Sequence, residues 1–197
     1  AFTLSAGGST RYDLARAVIE RCPGNPMARS LTKEHFQELC EAAARFYQHA
    51  LALCPVDKPA PEPDWAAALT KSREATRNAR LNHASHWNDL IHKVQKCLDR
   101  FLPTWLARAV TGWRHGDLHP GNAMHRPENS PWGPAGCVLL DLAEVRPGHW
   151  VEDAIYLEHL HWSRPETLDG VKCVSLLAKA RRAVGLDTSD DYPTLAN

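Results

Sequence analysis

Apolar side chains recur at intervals of three and four residues over much of the chain, which is the pattern of amphipathic helices. The clearest case begins after Thr32, a good N-cap residue, and carries its apolar face as far as Leu51. A second helix is predicted for residues 85–102, with Trp87 and Phe101 near the two ends of its stripe. Further helices are predicted for residues 12–20, 65–80, 103–106, 151–162 and 165–185.

Shorter stretches favour extended structure. Residues 112–114, 123–125 and 137–140 are strand-like, and the Pro- and Gly-rich residues 127–136 are typical of a hairpin loop. Residues 2–4 are also strand-like, but Gly7-Gly8-Ser9 is interpreted as a turn, because no early lysine accompanies it as in a phosphate-binding loop. The pattern predicts an α+β protein, mainly α, with helices packed around a small β-hairpin region.

Composition excludes several classes of partner. A length of 197 residues suffices for one sizeable core, so residues 1–197 are predicted to form a single domain. The 23 basic and 23 acidic residues balance, which gives no indication of a nucleic acid or membrane partner. No apolar run approaches membrane-spanning length. Six scattered cysteines without a C-x-x-C pair fit reduced thiols, so we expect a cytoplasmic protein; the oligomeric state stays open.

The most informative stretch is Trp113-Arg-His-Gly-Asp-Leu-His-Pro-Gly-Asn122. Its glycines and proline indicate a loop, in which Asp117 and Asn122 lie five residues apart. An apolar run then leads to Asp141. Phosphoryl transfer to an alcohol needs a carboxylate that orients the hydroxyl and oxygen ligands for the Mg²⁺ on ATP. The protein-kinase loop H-R-D-L-x-x-x-N has the same Asp-to-Asn interval, which favours a kinase.

This motif resembles the catalytic core of the aminoglycoside phosphotransferase and choline kinase-like family, small-molecule kinases with a protein-kinase-like fold. The resemblance is carried by His115-Gly-Asp-Leu-His-Pro-Gly-Asn122 and by Leu140-Asp141. Gly148 and Asp153 follow Asp141 at intervals of seven and twelve residues, where the family usually has a Gly and a structural Asp. The resemblance implies the C-terminal lobe of such a fold. ATP would be the phosphoryl donor, Mg²⁺ the cofactor, and a hydroxyl of an aminoglycoside, amino alcohol or sugar the acceptor.

The resemblance also implies a role for each residue of the motif. Asp117 would be the catalytic base that positions the acceptor hydroxyl and takes its proton. Asn122 and Asp141 would bind the Mg²⁺ ions that accompany ATP. His115, beside the base, is expected to support the loop backbone more than to transfer a proton.

Other residues are expected to support the site or to contact the substrates. Asp153 and Gly148 would be structural supports, Asp153 by accepting hydrogen bonds from amides of the catalytic loop. His119 and Glu144 are candidate contacts to phosphate or acceptor. Acids such as Glu144 and Glu152 would suit a cationic acceptor, although a solvated helix face explains them as well.

Two other interpretations of the motif remain open. His115, Asp117, His119 and His125 could bind zinc in a hydrolase, but that interpretation leaves Asn122 unexplained. The second interpretation is a kinase-like protein that binds its ligand but has no catalytic activity.

The sequence begins with Ala1 and shows no nucleotide-covering loop with its lysine. We therefore expect the N-terminal lobe to lie outside it and the C-terminus to be truncated. The chain alone would then be inactive.

Overall fold

The computed structural model describes residues 7–9, 12–14, 22, 26–29, 31–58, 61–79, 81–131, 133–188 and 192–196. The N-terminal half contains two short strands and three longer helices. In chain order these are β1 (Gly7–Ser9), β2 (Tyr12–Leu14), α1 (Lys33–Leu53), α2 (Trp65–Asn78) and α3 (Ala84–Leu106).

The second half of the chain contains the remaining described strands, followed by helices. They are β3 (Gly112–Arg114), β4 (Ala123–Arg126), β5 (Gly136–Leu139), β6 (Arg146–Gly148), α4 (Val151–His159), α5 (Cys173–Ala183) and α6 (Tyr192–Ala196). The strands form antiparallel pairs, β1 with β2, β3 with β6, and β4 with β5. The mainly α chain with small antiparallel sheets agrees with the predicted α+β class.

The core lies where α5 packs against both α1 and α4. The apolar positions of α1 recur at helical spacing, so one face of the helix is buried. Leu177 of α5 and Leu157 of α4 are completely buried opposite that face. Leu118, inside the predicted catalytic loop, is also completely buried in this core, so the loop is anchored to the helices by an apolar side chain.

Two of the predicted elements have the expected boundaries. Thr32 is the N-cap of α1, and its hydroxyl accepts a hydrogen bond from the backbone N–H of His35 at 3.4 Å. Strands β4 and β5 form the predicted hairpin, with Ala123 opposite Leu139.

The N-terminal predictions were wrong where the structure describes them. Residues 12–14 form β2 and not the start of a helix, and Gly7–Ser9 form β1 and not a turn. Three residues with apolar ends fit a strand as well as a helical turn, so the periodicity is ambiguous there. Residues 15–20 and the strand-like residues 2–4 lie outside the described residues.

Two helix boundaries also differ from the prediction. Pro103 does not restart the chain but lies inside α3, near its end, where the missing N–H removes a single helical hydrogen bond. Residues 165–185 do not form one helix. A 3₁₀ turn at Pro165–Leu168 ends at Asp169 and Gly170, whose φ angles of 46° and 72° cannot continue a right-handed helix.

The apolar stripe of α3 does not enter the core. Helix α3 packs on α2, yet none of its residues is buried, and Trp87, Val94 and Phe101 are about half exposed. Although α3 has 23 residues, neither it nor another helix in the described part of the chain is long and apolar enough to cross a membrane.

Replacement of Leu39 by Ala tests the assignment of the core. Leu39 is completely buried in α1, so we expect Leu39→Ala to lower the free energy of unfolding by about 2–5 kcal/mol. The matched control is Leu53→Ala in the same helix, where the side chain is 86% exposed and the expected change is within about 0.5 kcal/mol. Urea unfolding followed by circular dichroism measures both, and equal losses would contradict this core.

Candidate active site

The predicted catalytic loop connects β3 to β4. Strand β6, which the sequence analysis missed, pairs with β3 so that Gly112 lies opposite Gly148 and Arg114 opposite Arg146. Its three residues include Pro147, which argued against a strand, although Pro is tolerated at a sheet edge. The pairing fixes the direction in which the chain enters the loop, and it places Gly148 beside the loop's first strand.

Asp153 holds the beginning of the loop. Its side chain is completely buried in the first turn of α4. Oδ2 accepts hydrogen bonds from the backbone N–H of His115 and the hydroxyl of Tyr47, both at 2.6 Å, and Oδ1 accepts one from the N–H of Gly116 at 2.8 Å. Burial raises the pKa of Asp153, and the three donors oppose that rise. One carboxylate thus joins α1, α4 and the loop.

His115 has both ring nitrogens engaged and is completely buried. Nε2 lies 3.0 Å from the carbonyl oxygen of Leu140, and Nδ1 accepts from the N–H of Asp117 at 3.3 Å. The hydrogen therefore resides on Nε2, which donates to Leu140. This arrangement fits a support for the loop backbone and leaves no nitrogen for proton transfer.

At Gly116, both the backbone conformation and a close contact with another segment exclude a side chain. Its φ angle is +85°, in the region that favours glycine, and a Cβ there would lie 2.3 Å from the carbonyl oxygen of Glu144. The loop therefore lies directly against the 3₁₀ turn Leu142–Glu144 that follows Asp141. This contact places the backbone of Glu144 beside the loop, while its side chain is exposed.

Asp117 has a donor on each carboxylate oxygen. The hydroxyl of Tyr156 donates to Oδ1 at 2.6 Å, and Nδ2 of Asn122 donates to Oδ2 at 2.7 Å. These hydrogen bonds, that of Tyr156 first, hold the pKa of Asp117 below its usual value. Sequence reasoning missed Tyr156, although its position three residues after Asp153 places it on the same side of α4.

Asn122 and Asp141 lie at the same end of the β4–β5 hairpin. The carbonyl oxygen of Asn122 accepts from the N–H of Leu140 at 2.8 Å, so the backbone before Asp141 is bound to Asn122. Nδ2 of Asn122 donates to Asp117, and these hydrogen bonds do not use its side-chain oxygen. Asp141 has a left-handed backbone with a φ angle of 54°. Amide and carboxylate oxygens are ligands that Mg²⁺ prefers, so this donor set fits a magnesium ion.

His119 lies next to Asp117. Its Nδ1 accepts a hydrogen bond from the N–H of Gly121 at 3.0 Å, and Nε2 lies 3.5 Å from Oδ2 of Asp117. A Cβ at Gly121 would lie 2.6 Å from Cε1 of His119, so only glycine allows this packing. The ring is thereby held with its N–H towards the carboxylate.

The acids of α4 are engaged within the protein, contrary to the idea that they are available to a cationic acceptor. Oε1 of Glu152 lies 3.1 Å from Nη2 of Arg108, and Oε2 lies 3.2 Å from Nε of Arg114. Glu158 accepts a hydrogen bond from the backbone N–H of Cys173 at 3.1 Å. Two guanidinium groups therefore compensate the charge of Glu152.

A cleft of about 600 Å³ lies beside Asp117. Gly116 and Tyr156, which both neighbour Asp117, form part of its wall. The rest of the wall is rich in aromatic rings, namely Trp65, Trp105, His159 and Trp162. Such surfaces stack on flat or ring-shaped molecules, so the cleft can hold a small organic molecule next to the carboxylate.

The geometry argues against the zinc interpretation. His115 has no free ring nitrogen, and Nδ1 of His125 lies 3.6 Å from Glu38, away from the loop. Among the residues that the structure describes, no three His, Cys, Asp or Glu side chains are arranged to hold a metal ion.

Comparison with known proteins agrees with the motif. The family model described as the phosphotransferase enzyme family matches residues 4–192. The resemblance stated from the catalytic loop is thereby confirmed. No curated protein matches the chain.

The role of Asp153 in holding the loop can be tested by Asp153→Asn. The amide nitrogen would face an N–H or O–H donor in a buried site, so we expect a loss of about 2 kcal/mol in the free energy of unfolding. Asp99→Asn, at an exposed position of α3, is the matched control and should change little. Chemical denaturation measures both, and a fully stable Asp153→Asn variant would contradict the assigned role.

Proposed function

We propose that this chain, which belongs to the phosphotransferase enzyme family, acts as an ATP- and Mg²⁺-dependent kinase that phosphorylates a hydroxyl group of a small molecule. The acceptors implied by the motif are aminoglycosides, amino alcohols and sugars. One observation carries the proposal: the carboxylate of Asp117 is bound to Asn122, whose backbone holds the residue before Asp141. A hydroxyl-orienting carboxylate and two hard oxygen ligands are the parts that this reaction needs.

Asp117 would accept a hydrogen bond from the acceptor hydroxyl and take its proton as the oxygen attacks the terminal phosphate. Its low pKa keeps it ionised and able to accept that hydrogen bond. A low pKa also makes it a weak base, so most of its effect would come from orientation of the hydroxyl. His119, whose N–H is directed towards this carboxylate, would lie beside the transferred phosphate.

Asn122 and Asp141 would hold Mg²⁺ through the side-chain oxygen of Asn122 and the carboxylate of Asp141. The ion would neutralise phosphate charge and orient ATP. The protein contributes a rigid position for both ligands, since Asn122 is bound to Asp117 and the left-handed turn at Asp141 follows a paired strand.

We further propose that the chain is the C-terminal, catalytic-loop lobe of a protein-kinase-like fold. Three features support this: the loop between β3 and β4, the position of Asp141 shortly after β5, and the helix α4 that holds the loop through Asp153. The aromatic cleft beside Asp117 is the acceptor site on this assignment. Since Glu152 is paired with arginines, recognition there would depend more on ring faces than on free acids.

Asp117→Asn tests the catalytic assignment in the full-length protein. We expect phosphoryl transfer to fall by about 10²–10⁴-fold, because the neutral amide accepts no proton. Mg-ATP binding, measured by calorimetry, should be retained, since Asp117 is not one of the assigned metal ligands. Asp99→Asn on α3 serves as the control. Undiminished turnover by Asp117→Asn would remove Asp117 as the catalytic base, whereas a lack of turnover by the unaltered protein would leave a non-catalytic binding protein as the better interpretation.

Asp141→Asn separates metal binding from base chemistry. Loss of the carboxylate should weaken Mg-ATP binding, and the loss should lessen as the Mg²⁺ concentration is raised. Asp169→Asn is a close control, because Asp169 is also an exposed Asp with a left-handed backbone, and Asn tolerates that conformation. Isothermal titration at several Mg²⁺ concentrations measures the effect. Equal Mg-ATP affinity in both variants would remove Asp141 from the site.

A further inference from the structure

We propose that Tyr156 is a positioning residue for Asp117 and orients its carboxylate beside the proposed acceptor cleft. The inference rests on the proposed function, because it assigns Tyr156 a part in the same reaction. Neither the motif nor the family match indicates this residue, and its hydroxyl reaches the base from 39 positions further along the chain.

The first argument is the geometry at the carboxylate. Tyr156 donates to Oδ1 at 2.6 Å and Asn122 donates to Oδ2 at 2.7 Å. A single donor would leave the carboxylate free to rotate about its Cβ–Cγ bond, whereas donors on both oxygens fix its plane. Asn122 alone therefore does not determine the orientation of Asp117.

The second argument is that the donor itself is held rigidly. Tyr156 lies on α4, whose residues Val151, Ala154 and Leu157 are completely buried in the core. The same helix carries Asp153, which binds the amides just before Asp117. Helix α4 thus holds the backbone of the loop through one residue and the side chain of the base through another.

The third argument is the position of the ring. Tyr156 lines the aromatic cleft, so its ring contacts the space assigned to the acceptor while its hydroxyl contacts the base. The neighbouring carboxylate raises the pKa of the phenol to about 12, so the hydroxyl keeps its proton as a hydrogen-bond donor. Each carboxylate oxygen accepts more than one hydrogen bond, which leaves room for the acceptor hydroxyl on Asp117.

The kinetic test uses Tyr156→Phe in the full-length protein, with Mg-ATP as donor and water as the acceptor. We expect kcat for ATP hydrolysis to fall about tenfold while the KM for ATP is unchanged, since only the orientation of the base is lost. Tyr192→Phe on α6 is the matched control. An unchanged kcat would overturn the proposal. A rise in hydrolysis would also overturn it, because the phenol would then merely occupy the place of the acceptor.

A spectroscopic test separates this inference from the proposed function. In protein labelled with ¹³C at Cζ of tyrosine, the Tyr156 signal is identified by its absence in Tyr156→Phe. We expect Asp117→Ala and Asp117→Asn each to shift that signal and to leave the Tyr192 signal in place; two variants are used so that one misfolded protein does not decide the result. An unmoved Tyr156 signal overturns the inference whether or not the protein turns over ATP. A protein that transfers phosphate neither to water nor to any of the proposed acceptors, but that shows the shift, contradicts the proposed kinase and leaves the hydrogen bond standing.

Discussion

The buried carboxylate of Asp153 is the constraint on which the site depends. A carboxylate removed from water is costly unless donors replace its hydration, and here three donors do so. They come from Tyr47 on α1 and from the amides of His115 and Gly116, while Asp153 itself lies on α4. The three hydrogen bonds form together only when both helices are packed and the loop has its observed path. The conformation of the loop is therefore a consequence of core packing.

The positions of the remaining site residues follow from that conformation. Once His115 is placed, its ring binds the carbonyl of Leu140, and Asn122 binds the N–H of the same residue. Two hydrogen bonds thus fix the backbone just before Asp141. A left-handed aspartate costs about 1–2 kcal/mol, and such a conformation persists where the surrounding structure determines it. Asp141, the proposed metal ligand, is therefore held in place by hydrogen bonds within the protein itself.

The parts of the molecule that sequence could predict are those whose signal is local. Thr32 and the helical repeat after it fix α1, and the spacing of Asp117, Asn122 and Asp141 in the motif was sufficient to predict the family. Contacts between distant segments have no such signal: Tyr156 meets Asp117 only through the packing of α4, and β6 is a strand only because β3 lies beside it. The apolar face of α3 is a further example, since the periodicity of the sequence predicts a helix but not which other part of the protein packs on that face.

The charges near the site show why the number of acidic residues in the sequence does not predict the charge of the acceptor. Glu152 follows Asp141 by eleven residues and, in the sequence alone, suggests a site for a cation. In the folded chain it lies between Arg108 and Arg114 and also accepts from the N–H of His149. A free cation would have to displace guanidinium groups that are already mostly buried, and an unpaired buried charge is strongly destabilising. The carboxylate is therefore a neutralised part of the wall of the cleft, which is otherwise lined by aromatic and apolar side chains and by the three arginines Arg108, Arg114 and Arg146.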